Sequence, residues 1–276
     1  IEKYAEFDFY FLCAGAFESA RILLNSEFLS SNKVMFSDHI SQKVFKISSG
    51  TMIGNEDFAF RVLKTSLVTK RFIGEVDGYS FYCHPVLNTD FPFFQSLKTL
   101  MFKRQLSFSA LLNLFSNVPQ AIAFIYSVLI KRKMYVYKNE WFLYIDIENP
   151  TKTSYVMLSK ETDKFGEPGL DVYYSIGEDA KNIFSKSKEL VKRYLIKCKI
   201  DFEECSELIS AQNSEDIYHP YGMFSNFNSV EDFFNCYENM LVVSTGILPR
   251  AGGINPTAAV FPIVDEFINK HLTYKN

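Results

Sequence analysis

Residues 7–26, FDFYFLCAGAFESARILLNS, contain the pattern that decides the fold at the start of the chain. The run FDFYFLCA is apolar, rich in aromatic side chains and too short for a helix, so it predicts a strand. Gly15 then marks a tight turn, and residues 16–26 place apolar side chains at helical spacing. Strand, turn and helix in this order predict an α/β unit.

The end of the chain repeats this character. Residues 240–246, MLVVSTG, form a buried-type strand, and a loop and a final helix over about residues 256–271 follow. The simplest account is one α/β domain, Rossmann-like, that is interrupted by a long insert, with the two ends of the chain coming together. The predicted boundaries are 1–40 and 211–276 for this domain and 41–210 for the insert.

The middle of the chain has a different pattern. Its strand-like segments alternate apolar and polar side chains between glycines and polar gaps, and they are KVFKIS, FAFRVL, YSFYCHPVL, MYVYKNEWFLYIDIEN, TSYVMLSKE and GLDVYYSIG. They predict an α+β insert with an antiparallel sheet of about six strands. Residues 92–132 are helical and strongly apolar in pattern, and residues 178–197 predict an amphipathic helix.

Composition restricts the classes of function. The chain has 276 residues, 29 basic and 32 acidic, with a net charge of -3, so nucleic acid is not an expected partner. Its five cysteines show no metal-ligand spacing, which indicates free thiols, a reducing compartment and a cytoplasmic location. The chain opens at Ile1 with neither an initiator Met nor the pattern of a signal peptide, so we expect the true N-terminus to lie upstream.

One apolar segment leaves three interpretations open. Residues 107–130, SFSALLNLFSNVPQAIAFIYSVLI, lie between basic residues at 103–104 and 131–133. A run of this kind fits three roles: packing within the protein or in an oligomer contact, docking on a membrane surface, or spanning a membrane. Pro119 and several amide side chains interrupt it, whereas a spanning helix needs about 20 mainly apolar residues, which counts against the last.

The most informative residues lie in the last sixty. DIYHPYGMF, residues 216–224, contains His219-Pro220-Tyr221-Gly222, and the strand near residue 241 is followed by Gly246, Pro249, Gly252-Gly253 and Asn255-Pro256-Thr257. The order and spacing of these motifs resemble the C-terminal portion of the glucose-methanol-choline (GMC) oxidoreductase family. Residues 11–26 and Ser37-Asp38-His39-Ile40 match the same family, and residues 162–180 match it weakly.

The resemblance implies an FAD-dependent oxidoreductase that oxidises a CH-OH group of an alcohol or sugar. It makes His219 the base and Asn255 the residue that orients the substrate. The residues that it places at the cofactor are Ala14, Gly15, Thr245, Gly246, Asn255, Pro256 and Thr257.

Physical chemistry is compatible with these roles. A neutral imidazole with a pKa near ~6.5 can accept the hydroxyl proton, and a neutral amide can hold the substrate oxygen at any pH. A helix that begins at Pro256 would point its partly positive end toward a reduced, negatively charged flavin. Taken alone, Asn255-Pro256 is also an ordinary helix cap, and a histidine before a proline is usually a turn residue.

One departure from the family matters most. The glycine motif GxGxxG, which holds the ADP half of FAD, does not occur in this sequence. The alternative is therefore a non-catalytic or split homologue that binds a ligand or a partner without FAD. Retention of both His219 and Asn255 favours the enzyme. His39 is expected either to fix the loop near the flavin or to be structural, and the sequence names no partner for His84.

Overall fold

A computed structural model describes residues 7, 9–48, 60–63, 66–87, 93, 95–96, 108, 112, 115–132, 135, 140–150, 153–205, 215–216, 219–224, 240–250, 252 and 256–271. The strands are β1 Tyr10–Leu12, β2 Lys33–Phe36, β3 His39–Ser48, β4 Phe60–Leu63, β5 Ser66–Thr69, β6 Phe72–Val76, β7 Tyr79–Leu87, β8 Glu140–Glu148, β9 Ser154–Thr162, β10 Pro168–Tyr173, β11 Phe202–Glu204, β12 Glu215–Asp216 and β13 Met240–Val242. The helices are α1 Ala16–Asn25, α2 Val118–Ile125, α3 Glu178–Lys197 and α4 Pro256–His271. A π-helical turn, Tyr126–Ile130, continues α2, and a 3₁₀ turn, Thr245–Ile247, follows β13.

The two ends of the chain meet in a parallel pair of strands. β1 pairs with β13, with Phe11 opposite Leu241. Gly15 follows β1 at a φ of 83° and begins α1, a conformation that glycine adopts without steric cost. The expected meeting of the two ends is confirmed, whereas the domain boundaries at residues 40 and 210 remain a prediction.

The largest sheet is antiparallel and has six strands, but its members differ from the predicted ones: FAFRVL, TSYVMLSKE and GLDVYYSIG belong to other sheets, because the sequence pattern does not show which strands pair. Its order is β11-β3-β8-β7-β6, and β12 also pairs with β3. Because side chains alternate across a strand, one face of β3, β7 and β8 is apolar and packs against α3. Phe45, Phe81 and Ile145 are fully buried there against Phe184 and Leu195 of the helix.

The opposite face of the same three strands is polar. His39 and Ser41 of β3 lie opposite Glu148 and Asp146 of β8, and Tyr82 of β7 lies opposite Asp146 on the other side. All five residues are buried. Polar side chains on a buried face need hydrogen-bond partners inside the protein.

A second core lies around α1. A three-stranded antiparallel sheet, β10-β9-β2, contacts this helix, and its core contains Leu23, Val34 and Val156. Strands β4 and β5 form a separate hairpin.

Most expected elements occur, with shifted ends. The predicted helices at 178–197 and 256–271 are confirmed at these bounds. The predicted strand at 7–14 is shorter, at Tyr10–Leu12, and β2 had no sequence prediction. Within the predicted helical region 92–132, the continuous part that the structure describes is residues 115–132, and most of the remainder lies outside the described residues.

Candidate functional site

The candidate site lies at the carboxyl end of the parallel pair. β1 ends just before Ala14 and Gly15, and β13 ends just before Thr245 and Gly246. Because the two strands are parallel, these segments emerge at the same edge, where open α/β sheets usually bind ligands. A Cβ built on Gly246 would lie 3.4 Å from the Cβ of Ala16, so the two segments are in contact.

The loop that contains His219 packs on the segment after β13. Thr245 Oγ1 donates a hydrogen bond to the Pro220 carbonyl at 2.6 Å. The backbone N–H of Gly222 donates to the Leu248 carbonyl at 2.8 Å. Pro220 and Tyr221 are buried, and His219 is half-buried. The loop is thus tied to the edge of the parallel sheet by its own backbone.

Asp38 holds the start of this loop. Its buried carboxylate accepts the backbone N–H of His219 at 3.1 and 3.2 Å, and also that of His39 at 2.6 Å. Ser37 and Tyr221 exchange two backbone hydrogen bonds, at 2.9 and 2.8 Å. The contacts to Asp38 use the backbone N–H of His219, so they fix the position of its backbone in the loop.

His39 connects the six-stranded sheet to the loop before α4. Its Nε2 donates to the Gly252 carbonyl at 2.8 Å, which fixes the proton on Nε2 because a carbonyl only accepts. The ring is fully buried, and its centroid lies 6.3 Å from that of His219. A buried ring that bonds to a loop carbonyl is compatible with both expected roles of His39, fixing the loop near the flavin and being structural.

An ion pair that the sequence did not predict holds the same loop. Buried Glu148 accepts hydrogen bonds from Arg250 at 3.0 and 2.7 Å and from the Gly252 N–H at 3.4 Å. The bond to Glu148 raises the pKa of Arg250. Arg250 also lies over the Tyr79 ring at 4.8 Å. No sequence signal pairs Glu148 with Arg250, because their proximity depends on how β8 and the last loop meet.

Asp146 is the centre of the buried polar face. Ser41 Oγ donates to its carboxylate, and His84 Nε2 lies 2.9 Å from it. Burial and the charge of Asp146 raise the pKa of Tyr82, so its phenol stays protonated and bonds to the same carboxylate. Asp146 is therefore the partner of His84. The alternation of polar residues in YSFYCHPVL and WFLYIDIEN is the one signal that could have placed these residues on a common face.

The predicted site residues differ in burial and in whether the structure describes them. Pro256 is the buried first residue of α4, and Thr257 is exposed next to it. Ala14 and Gly15 are exposed, and Thr245 and Gly246 lie against the His219 loop. Asn255 lies outside the described residues, so its predicted role stays a prediction.

A flavin fits this edge in part. The hydroxyl of Ser244 is buried there without a hydrogen-bond partner among the described residues, and no atom lies within 4 Å of a Cβ built on Gly15. Glu18 in the first turn of α1 is paired with Arg21, so the charge of its carboxylate is compensated at that helix start. Because the sequence lacks the GxGxxG motif that holds the ADP half of FAD, the residues present fit an uncharged part of the cofactor rather than its pyrophosphate.

A cavity of about 100 Å³ lies beside the site. Tyr79, Glu148, Tyr221 and Arg250 are among its lining residues, and His219 is not. Ligand pockets usually enclose about 300–1,000 Å³, so this cavity is too small for a sugar.

Two kinds of feature are absent from the described residues: a cluster of metal ligands and a membrane-spanning helix. No cluster of His, Cys, Asp or Glu there could hold a metal ion. None of the described helices is both long and apolar enough to cross a membrane.

Similarity to known proteins is found among solved structures. No family model matches the chain, and no curated protein matches it. Among solved structures, the chain is similar to pyridoxine 4-oxidase from Mesorbium loti, with a TM-score of 0.49 and 13% sequence identity. The match covers 98% of this chain and 52% of that one, so the chain spans about half the length of that protein.

Proposed function

We propose that this chain forms the His219 side of an FAD-dependent oxidoreductase that oxidises a CH-OH group of an alcohol or sugar. One observation carries the proposal: the loops that contain the His219 motif, the Asp38-His39 motif and Gly252 converge at the carboxyl edge of the parallel strands. The sequence separates these motifs by as much as 213 residues, as in the bond between His39 and Gly252. Convergence at one edge is expected of motifs that serve one site, and this supports the proposal.

In this proposal the His219 imidazole accepts the hydroxyl proton of the substrate. Asp38 and Thr245 fix the backbone of the loop, so the place from which the imidazole extends is set before substrate arrives. Asn255 orients the substrate oxygen, as the motif implies. FAD, when bound, supplies the acceptor for the hydride. Ser244, Gly246 and the start of α4 would contact the uncharged part of the cofactor.

The first test is the coding sequence upstream of Ile1. An open frame that continues into a strand, a GxGxxG motif and a helix would supply the missing ADP-binding segment and support the enzyme. A stop codon immediately upstream would contradict autonomous catalysis and favour the binding protein without FAD.

The second test is His219→Ala in the protein that includes any such segment. The Asp38 bond uses the backbone N–H of residue 219, so it survives the substitution. We expect bound flavin to be unchanged and kcat for alcohol or sugar oxidation to fall about 10²–10⁴-fold, the usual contribution of a general base. His271→Ala is the matched control, since this residue ends α4, about 20 Å along the helix from Pro256. Unchanged turnover in His219→Ala would refute its role as the base.

A further inference from the structure

The helix α2 and the π-helical turn after it present an apolar surface to solvent. Phe115, Ile122 and Leu129 are 72%, 62% and 57% exposed. Other exposed apolar side chains in and just before this helical stretch are Phe108, Leu112, Val118, Ile125, Tyr126 and Ile130. Residues 115, 118, 122, 125 and 129 are separated by steps of three and four, so they form one stripe along the helix.

Phe124, on the opposite side of the helix, contacts two other aromatic rings. The Phe124 ring lies 6.2 Å from that of Phe93 and 6.3 Å from that of Tyr135. These ring contacts connect α2 to Phe93 and Tyr135. No residue of α2 is buried. A soluble surface helix normally places its apolar stripe inward and its charged residues outward. Here the large aliphatic side chains point away from the protein, so this stripe is suited to a partner that is itself apolar.

Charge distinguishes the possible partners. Residues 91–139 contain seven of the 29 basic residues of the chain and none of its 32 acidic residues. Although the net charge of the whole chain is small, residues 91–139 therefore form one strongly basic segment. Lys131 and Arg132 end the helical stretch, are exposed, and make no ion pair within the described part of the chain. Lys131 lies 5.3 Å from the centre of the Tyr126 ring, at the boundary between the apolar stripe and the basic end.

We propose that residues 115–132 bind the surface of a membrane that contains anionic lipids. The apolar stripe enters the boundary between headgroups and acyl chains, and the basic residues contact anionic headgroups, an arrangement typical of interfacial helices. The 13 residues of α2 and its π-helical turn measure about 20 Å, too short for a hydrocarbon core of about 30 Å, so the helix lies on the membrane. A second copy of the chain is disfavoured as the occupant because it would bring a second basic segment to the same surface. The proposal is independent of the oxidoreductase activity.

The test is co-sedimentation of the full chain with vesicles of phosphatidylcholine alone or with added phosphatidylserine. We expect binding to the anionic vesicles that weakens as the salt concentration rises. Ile122→Glu should lower the partition coefficient about tenfold or more, because it places a charge in the apolar stripe. Ile196→Glu is the matched control, since Ile196 is 59% exposed on α3, outside the basic segment, and it should bind as the unmodified chain does. Lys131→Glu with Arg132→Glu should lower binding to anionic vesicles by a similar factor.

Two results would overturn the proposal. The first is that the chain binds neither kind of vesicle. If the chain is then also a dimer in analytical ultracentrifugation, and Ile122→Glu converts it to a monomer, this surface is a contact between copies of the chain. The second is binding that Ile122→Glu and Ile196→Glu reduce equally, because the stripe would then have no special role. Circular dichroism of both variants checks that each is folded.

Discussion

The carboxylate of Asp38 accepts hydrogen bonds from the backbone N–H of His219, a residue 181 positions farther along the chain. Asp38 is buried, and it also accepts the N–H of His39. One side chain therefore ties the beginning of the six-stranded sheet to the loop that carries the proposed base. The following predictions test this arrangement and its neighbours.

Asp38→Ala should destabilise the protein, because it leaves two backbone N–H groups without this acceptor in a buried place. Each buried, unsatisfied group costs about 1–3 kcal/mol, so we expect at least that loss in the free energy of unfolding measured by urea denaturation. Asp163→Ala is the control, since Asp163 accepts the N–H groups of Phe165 and Glu167 in an exposed turn. Water can replace that acceptor, and the loss should stay below about 1 kcal/mol. Equal losses in the two variants would argue against burial as the cause.

The pair of Glu148 and Arg250 should show a large coupling energy. Glu148 is buried, so removing Arg250 leaves a carboxylate without its charge partner, and charged hydrogen bonds are worth about 1.5–3 kcal/mol. A double-mutant cycle with Glu148→Gln and Arg250→Met measures the coupling through urea denaturation. The exposed pair of Asp77 and Lys186 provides the control cycle, for which about 0–1 kcal/mol is expected. A coupling for Glu148 and Arg250 no larger than that of the control would show that burial adds nothing.

Gly246→Ala should distinguish a packing role from a role at the cofactor. A Cβ there would lie 3.2 Å from Cε2 of Phe224 and 3.3 Å from Oγ of Ser244, so the neighbours must move. We expect a loss of about 1–3 kcal/mol in the free energy of unfolding, typical of overpacking. Gly169→Ala, where the nearest atoms are 3.8 Å away, should cost less than about 1 kcal/mol. If Gly246→Ala leaves stability unchanged and weakens flavin binding alone, the glycine serves the cofactor instead.

Cys83 should resist alkylation while the protein is folded. Its thiol is fully buried, and burial raises its pKa, so very little of the reactive thiolate forms at pH 8. Each unit by which the pKa is raised lowers the thiolate fraction about tenfold. In addition, the sheet must open locally before the reagent can reach the thiol. Mass spectrometry after iodoacetamide treatment should show modification of exposed Cys13 and Cys198 at least about tenfold faster. Comparable rates in the native protein, becoming no faster in urea, would contradict the burial of Cys83.

Local patterns in the sequence predicted several elements well. The helix at 178–197 has a continuous amphipathic pattern and acidic residues in its first turn, and both of its ends were confirmed. The alternating segments predicted antiparallel strands, because alternation reports a strand with two different faces, but they did not show that these strands divide among three separate sheets. The strand β1 was expected over 7–14 and spans Tyr10–Leu12, since pairing with β13 limits its length and the sequence does not show the partner.

The candidate site was only partly accessible from the sequence. Its motif residues were found by their resemblance to a family, and that resemblance and the role of Asn255 remain predictions. The partners of the motif residues were not found. Asp146 beside His84 and Arg250 on Glu148 are contacts across strands or loops, and no local pattern encodes which charges meet.

The sequence by itself determined the local conformations, the apolar and polar faces, and the order of the motifs, because these depend on neighbouring side chains and their periodicity. The tertiary structure alone decided that Asp38 holds the His219 loop, that His39 holds Gly252, and that the apolar stripe of residues 115–130 faces solvent. The physical reason is that hydrogen bonds and burial between distant residues depend on the path of the whole backbone, which brings separate segments together.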